Sequence, residues 1–185
     1  MVQKTEIIMT GLQYIFILFI TVFTGISNDH NYPVPKKTDN LLFYIQRNHN
    51  ANTIIYDARF DKNGMLVNDD PVDVYWKRYE EQNQRMELRF IDRWYAYGVD
   101  CEKVNDSKGL FKIKLTADKS RFFWLKQTAP FNAMVTTEIN GEQCKLDHLY
   151  IYADESGIWP KVEYVELFGN NIHSGEQVYE KLIIN

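Results

Sequence analysis

A chain of 185 residues, 45% hydrophobic and 25% charged, has the make-up of one ordinary globular domain and not of a disordered segment. Its formal net charge of -4, with no run of Lys or Arg, excludes the basic stripe that a nucleic-acid partner needs to displace counterions from phosphate. The aromatic share of 15% favours strands, because large rings fit the half-buried face of a sheet better than a helix interior.

The chain opens on an apolar block, Leu12 to Phe23 (LQYIFILFITVF). Lys4 precedes it, offset by Glu6, and the small residues Gly25 and Ser27 follow at the positions a signal peptidase reads. Two readings stay open. Residues 1–27 form a signal peptide cut after Ser27, or an uncleaved anchor in which Ile7 to Ile26 crosses a bilayer core of about 30 Å. Either one predicts an exported protein, periplasmic, in the cell envelope or secreted, that meets a membrane only through an uncleaved leader. No Cys follows the block, so a lipoprotein anchor is not expected.

Residues 28–39 (NDHNYPVPKKTD) read as a linker, since Pro33 and Pro35 remove donors and the polar neighbours have no period. A single mainly-β domain is predicted over residues 40–185. Strand signals recur at Leu41 to Arg47, Thr53 to Phe60 and Val72 to Tyr79, the last alternating most clearly. The Asn-rich residues 48–52 between the first two predict a hairpin turn, because Asn tolerates positive φ.

Between Asn83 and Gly98 the period changes. Leu88, Ile91, Tyr95 and Gly98 fall at helical spacing, with Asn83 as candidate cap and Gly98 as candidate left-handed terminator. A helix is predicted there, and a strand through Arg89 to Tyr97 is its rival. Strands follow at Leu110 to Thr116, Phe122 to Lys126 and Ala133 to Ile139, ending at the Asn140-Gly141 turn. Gln143 to Ala153, Val162 to Phe168 and Val178 to Ile183 complete the set. The predicted architecture is an antiparallel, barrel-like or strongly curved meander of about nine strands with one packed helix.

Few residues point to chemistry. Cys101 and Cys144 allow one disulfide in an exported protein, or stay as two separate thiols. His30, His49, His148 and His173 form no zinc pattern; Asp147-His148 supplies two ligands where a site needs three or four. Asp61-Lys62-Asn63-Gly64 lacks the later ligands of a calcium loop and is better explained as a turn. No metal site and no cofactor is expected. Ser120, Ser156 and Ser174 lack a nucleophile-elbow context, and neither Cys has a recognisable flanking signature. The acidic pairs Asp69-Asp70, Glu80-Glu81 and Asp154-Glu155 lie in polar segments and read as solvated surface.

The most unusual feature is charge on otherwise apolar strands. Arg47, Tyr56, Asp57, Trp76 and Arg78 form a candidate ligand-binding set if their faces turn inward. Arginine forks among rings suit a small polar, anionic or carbohydrate-like ligand. The competing reading leaves these faces in solvent, with Arg stems covering aromatic surface.

The runs Leu42 to Arg47 and Asn50 to Asp57 resemble the opening of domain-of-unknown-function family 4833. Pro71 to Tyr79, Ala96-Tyr97-Gly98 and Val162 to Leu167 continue the likeness across nearly all of the chain after the linker. The resemblance implies one intact domain and export, its members being exported proteins of Bacteroidetes-type bacteria, and brings no activity or catalytic residue. The function expected is a non-enzymatic binding or interaction module of the envelope, with a small ligand or an envelope protein as partner. Two alternatives stand beside it: a cofactor-free, hydrolase-like enzyme with its site near Arg47, Asp57, Trp76 and Arg78, and a structural component docking on a membrane-protein partner.

Overall fold

Alternation of apolar and polar side chains sets the strands in the computed structural model, which describes residues 32–104, 107–118, 120–157 and 160–184. The leader expected over residues 1–27 lies outside the described residues, as does the linker before Tyr32. Among the described residues no helix is long and apolar enough to cross a membrane.

Strands β1 (Leu41–Arg47), β2 (Thr53–Ala58), β3 (Val72–Arg78) and β4 (Gln84–Glu87) make one antiparallel meander. A second meander contains β5 (Val99–Lys103), β6 (Leu110–Leu115), β7 (Phe123–Ala129) and β8 (Asn132–Ile139). The longest strand, β9 (Glu142–Asp154), is followed by β10 (Lys161–Asn171) and β11 (Gln177–Ile183). The fold is mainly β, a curled half-barrel sheet with one short helix, as predicted, but the sheet is mixed and not wholly antiparallel, because β1 pairs parallel with β9.

Strand β9 organises the rest. β10 pairs with it from Cys144 to Asp154 and so takes one whole edge. The other edge is divided: β8 pairs antiparallel with Glu142 to Lys145, and β1 pairs parallel with His148 to Ile151. Both meanders therefore leave the same edge of one strand. Asp147 is an extra residue at the division, because Leu146 stands opposite Gly169 while His148 stands opposite Phe168. Such a β-bulge bends its strand and reverses the side-chain phase. Cys144 and Leu146 face the core before it, and Leu149 after it.

The two meanders share one interior. The Phe43 ring on β1 stacks on Tyr56 of β2 at 4.3 Å and on Phe123 of β7 at 6.3 Å between centroids. Ile113, Leu125, Leu146 and Leu167 are fully buried around them. Each such side chain stabilises the fold by roughly 1.5–3 kcal/mol relative to exposure.

The stretch from Asn83 to Gly98 holds both predicted structures in turn. Gln84 to Glu87 is strand; a single α-turn, α1 (Phe90–Asp92), then runs into a π-turn (Arg93–Tyr97). Asn83 caps nothing: it lies in the β3–β4 turn at φ 60°. Gly98 is extended, not left-handed, and is needed because a Cβ there would collide with the Arg93 carbonyl. In the β1–β2 turn positive φ falls on His49, not on an Asn. The Asn140-Gly141 turn takes positive φ at both residues, as a tight hairpin requires.

Of the two readings of the cysteines, the structure has the separate thiols and not the disulfide. Cys101 and Cys144 are free thiols. Cys101 lies on β5 and Cys144 on β9, with β8, β7 and β6 between them in the sheet. Strands spaced about 4.8 Å apart keep such residues well beyond the 7 Å that a bridge tolerates. Burial pushes the Cys101 thiol up to about 12.

Residues 32–38, read as linker, have no regular structure but lie on the sheet: the Tyr32 ring stacks on Tyr150, and the Gln46 side-chain amide donates to the Pro33 carbonyl at 3.1 Å.

A Cβ added to Gly169 would stand 2.6 Å from the Lys145 carbonyl oxygen and 2.7 Å from Ile139 Cδ1. Gly169→Ala should therefore lower stability by about 1–3 kcal/mol, as overpacking does. The urea unfolding midpoint checks this, and an unchanged midpoint contradicts it.

Candidate functional site

Period two decides which predicted site residues meet. On β1 the inner positions are Phe43, Ile45 and Arg47; on β2 they are Ile54, Tyr56 and Ala58; on β3 they are Val72, Val74, Trp76 and Arg78. Strands β1 and β3 each end their inner row on an arginine. An Arg stem can cover the last core ring while its head reaches water, so the mouth of the half-barrel is where such a residue fits.

Arg47, Tyr56, Trp76 and Arg78 share this inner face. The Arg47 guanidinium carbon lies 5.1 Å from the Trp76 ring centroid, a cation–π distance. Its Nη1 donates to the Tyr97 hydroxyl at 3.4 Å. Tyr97 in turn packs edge-on against Trp76 at 5.3 Å, and its carbonyl accepts from the Tyr56 hydroxyl at 2.8 Å. The Arg89 fork grips the Asp92 carboxylate at 3.0 Å through Nε and Nη2, and Trp76 helps to lower the same carboxyl. Arg89 is the main reason that the Asp92 carboxyl lies below its ordinary range. Arg78 is paired with Glu81 and reaches Met86 Sδ at 3.7 Å.

Asp57 does not join them. It follows Tyr56 directly, so a pleated strand turns it to the opposite face. There it pairs in register with Asp73 and accepts from the Tyr75 hydroxyl at 2.9 Å. Arg85 lies over the Tyr75 ring at 3.8 Å and joins Asp73 and Glu87 in ion pairs, and Arg59 reaches Asp73 at 2.9 Å. Burial raises the Asp57 carboxyl, and burial with the Asp57 charge raises the Tyr75 phenol.

Among the described residues three buried side-chain atoms have no hydrogen-bond partner, and all belong to the predicted set: Arg47 Nε, Asp57 Oδ1 and Arg78 Nε. Native interiors seldom leave such atoms unpaired. Arg78 is compensated by Glu81. Arg47 makes no ion pair with any described residue.

Sequence reasoning missed Tyr97 and Asp92 as parts of this cluster. Tyr97 was visible as the end of the rival Arg89 to Tyr97 strand and within Ala96-Tyr97-Gly98, and nothing in its spacing shows that it returns to Arg47. Asp147-His148 is also accounted for: His148 Nδ1 lies 2.8 Å from Asp147 Oδ2, and its ring is sandwiched between Tyr44 and Phe168. Among the described residues no three His, Cys, Asp or Glu side chains gather as a metal site.

A family model described as a domain of unknown function, DUF4833, matches residues 43–181. The chain belongs to this family. The DUF4833 match begins at Phe43 in β1 and ends at Lys181 in β11, so it takes in both meanders and every residue of the inner-face cluster. No curated protein and no solved structure matches the chain.

The Asp57 environment has a pH consequence for this DUF4833 protein. An unfolded aspartate titrates near 3.9. The folded value is higher, so in the window above 3.9 the folded state holds the extra proton and stability falls as pH rises. Asp57→Asn removes that loss while keeping an acceptor for Tyr75. Its stability relative to wild type, from urea melts, should grow between about pH 4 and pH 7. A flat or falling difference contradicts the assignment.

Proposed function

We propose that this DUF4833 protein is an exported protein of the cell envelope that binds rather than catalyses, taking an anionic group at Arg47. The observation that carries the reading is the state of that guanidinium. It is partly buried, one nitrogen is unpaired, its side-chain contacts are a ring face and a neutral phenol, and no described carboxylate neutralises it. A cation partly removed from water and left without a counter-charge is costly, and a bidentate oxyanion is the partner its fork fits.

The neighbouring surface supports the same reading. Phe90 and Tyr95 are each 73% exposed, and Ile91 and Trp94 about as open, on the helical turn that supplies Tyr97. Together they offer apolar area on the turn that supplies Tyr97, which suits the carbon skeleton of a ligand or the rim of a partner protein. The enzyme alternative has weaker support, because the one buried carboxylate of the predicted set, Asp57, stands across the sheet from both arginines. Export rests on the apolar Leu12 to Phe23 block and its flanks.

Thermal melts against a panel of acetate, succinate, citrate, galacturonate and phosphate test the proposal. At least one anion should raise the wild-type melting temperature, by about 2–4 °C per kcal/mol of binding free energy. Arg47→Gln should abolish the rise, and Arg47→Lys should keep part of it, having the charge without the fork. No rise for any anion, or one that survives in Arg47→Gln, overturns the proposal.

A further inference from the structure

The outer face of the second meander carries a feature the Arg47 cluster does not use. Trp124 sits mid-sheet on β7, opposite Lys112 of β6 and Thr136 of β8. Its inward neighbours Phe123 and Leu125 are buried, while Trp124 and Phe122 are each 38% exposed. A large indole left in water at the centre of a sheet face contributes little to the core. It is, however, a flat apolar platform.

Trp124 lines two shallow hollows at once. One is shared with Phe122, Glu138, Asn140 and Gln143. The other is shared with Lys108, Lys126, Gln127 and Thr136. Lys112 and Lys114 hold their ammonium groups 3.6 and 5.0 Å from the Phe122 ring. None of these four lysines is in an ion pair with a described residue. The carboxylates nearest in register, Asp100 and Glu102, lie on the edge strand β5 opposite Lys114 and Lys112. Arg121 adds no free charge, being held by both Glu180 oxygens at 3.1 and 3.2 Å. In a chain of net charge -4, this face is locally cationic.

We propose that this face binds an acidic oligosaccharide, a chain of uronate-type rings laid across the two hollows with one ring on Trp124. The apolar C–H face of a pyranose matches the indole, whose negative π face meets the ring hydrogens. Lysines outside any ion pair with a described residue suit carboxylates carried along the chain. Gln143, Asn140 and Thr136 suit hydroxyls, each offering donors and acceptors. Glu138, in the hollow beside Trp124, can accept from sugar hydroxyls.

Titration of the purified full chain with tetragalacturonate, followed by tryptophan emission and calorimetry, tests this. Maltotetraose serves as the neutral comparator and polyuridylate as the nucleic-acid one. Tetragalacturonate should bind, more weakly as salt rises from about 50 to about 300 mM. Maltotetraose should bind weaker by about tenfold or more. Trp124→Ala should weaken tetragalacturonate by about tenfold or more. The Lys112→Gln, Lys114→Gln double variant, which leaves the aromatic platform in place, should weaken it and flatten the salt dependence. The proposal is overturned by no binding of tetragalacturonate, by unchanged binding in both variants, by equal binding of maltotetraose, or by tighter binding of polyuridylate.

Discussion

One strand edge has to hold two sheets. The hydrogen-bonding groups of β9 that face away from β10 are divided between β8 and β1, and the residues at the division pair with neither. Continuous pleating cannot serve two sheets that diverge, so the strand takes up an extra residue, Asp147, and the opposing strand supplies Gly169 where any side chain would strike the Lys145 carbonyl. The bend lets the meanders close over Phe43, Tyr56 and Phe123. The same division explains where the interior runs out. β8 covers only the first part of β9, so burial is complete at Leu146 and Leu167 and only partial at Ile151, Val165 and Leu182. Arg47, paired in register with Ile151, stands at that thinning end. A helical turn lends Tyr97 there in place of a strand.

Arg47 stands apart from the other arginines of the first meander, Arg78 included, which Glu81 pairs. On the outer face Arg59, Asp73, Arg85 and Glu87 form a connected network beside Tyr75, so each cation has a carboxylate within reach. Pairs as exposed as these contribute little to stability, typically about 0–1 kcal/mol each. On the inner face the Arg47 guanidinium has rings where its counter-ion would be. The contrast within one sheet is what singles out Arg47, since the chain has acidic residues in plenty and no described one forms an ion pair with it.

Period two made most of the strands legible, because their inner rows pack on a single core. All nine predicted strands are present, and what escaped has physical reasons. Strand β4 is exposed at every residue, so it shows no alternation. Strand β5 is a short edge strand following a helical turn, and its pattern Val99, Cys101, Lys103 is too brief to register. The phase change at Asp147 is invisible in a run where Leu146, Leu149 and Ile151 are all apolar. At the candidate site, Arg47, Trp76 and Arg78 were legible as inner-row residues of neighbouring strands. Asp57 was grouped with them by charge, although adjacency to the inward Tyr56 turns it to the other face. The partnership of Tyr97 with Arg47 depends on a chain reversal fifty residues away in sequence, which no local pattern encodes.

The account stands on two meanders closing over one interior, and the contact between Phe43 and Phe123 is its plainest expression. A double-mutant cycle of Phe43→Leu and Phe123→Leu, measured by urea unfolding, reads that contact directly. The account predicts a coupling of about 0.5–1.5 kcal/mol between the two changes. Strict additivity, within about 0.3 kcal/mol, would mean that the rings do not meet and that the meanders enclose separate cores.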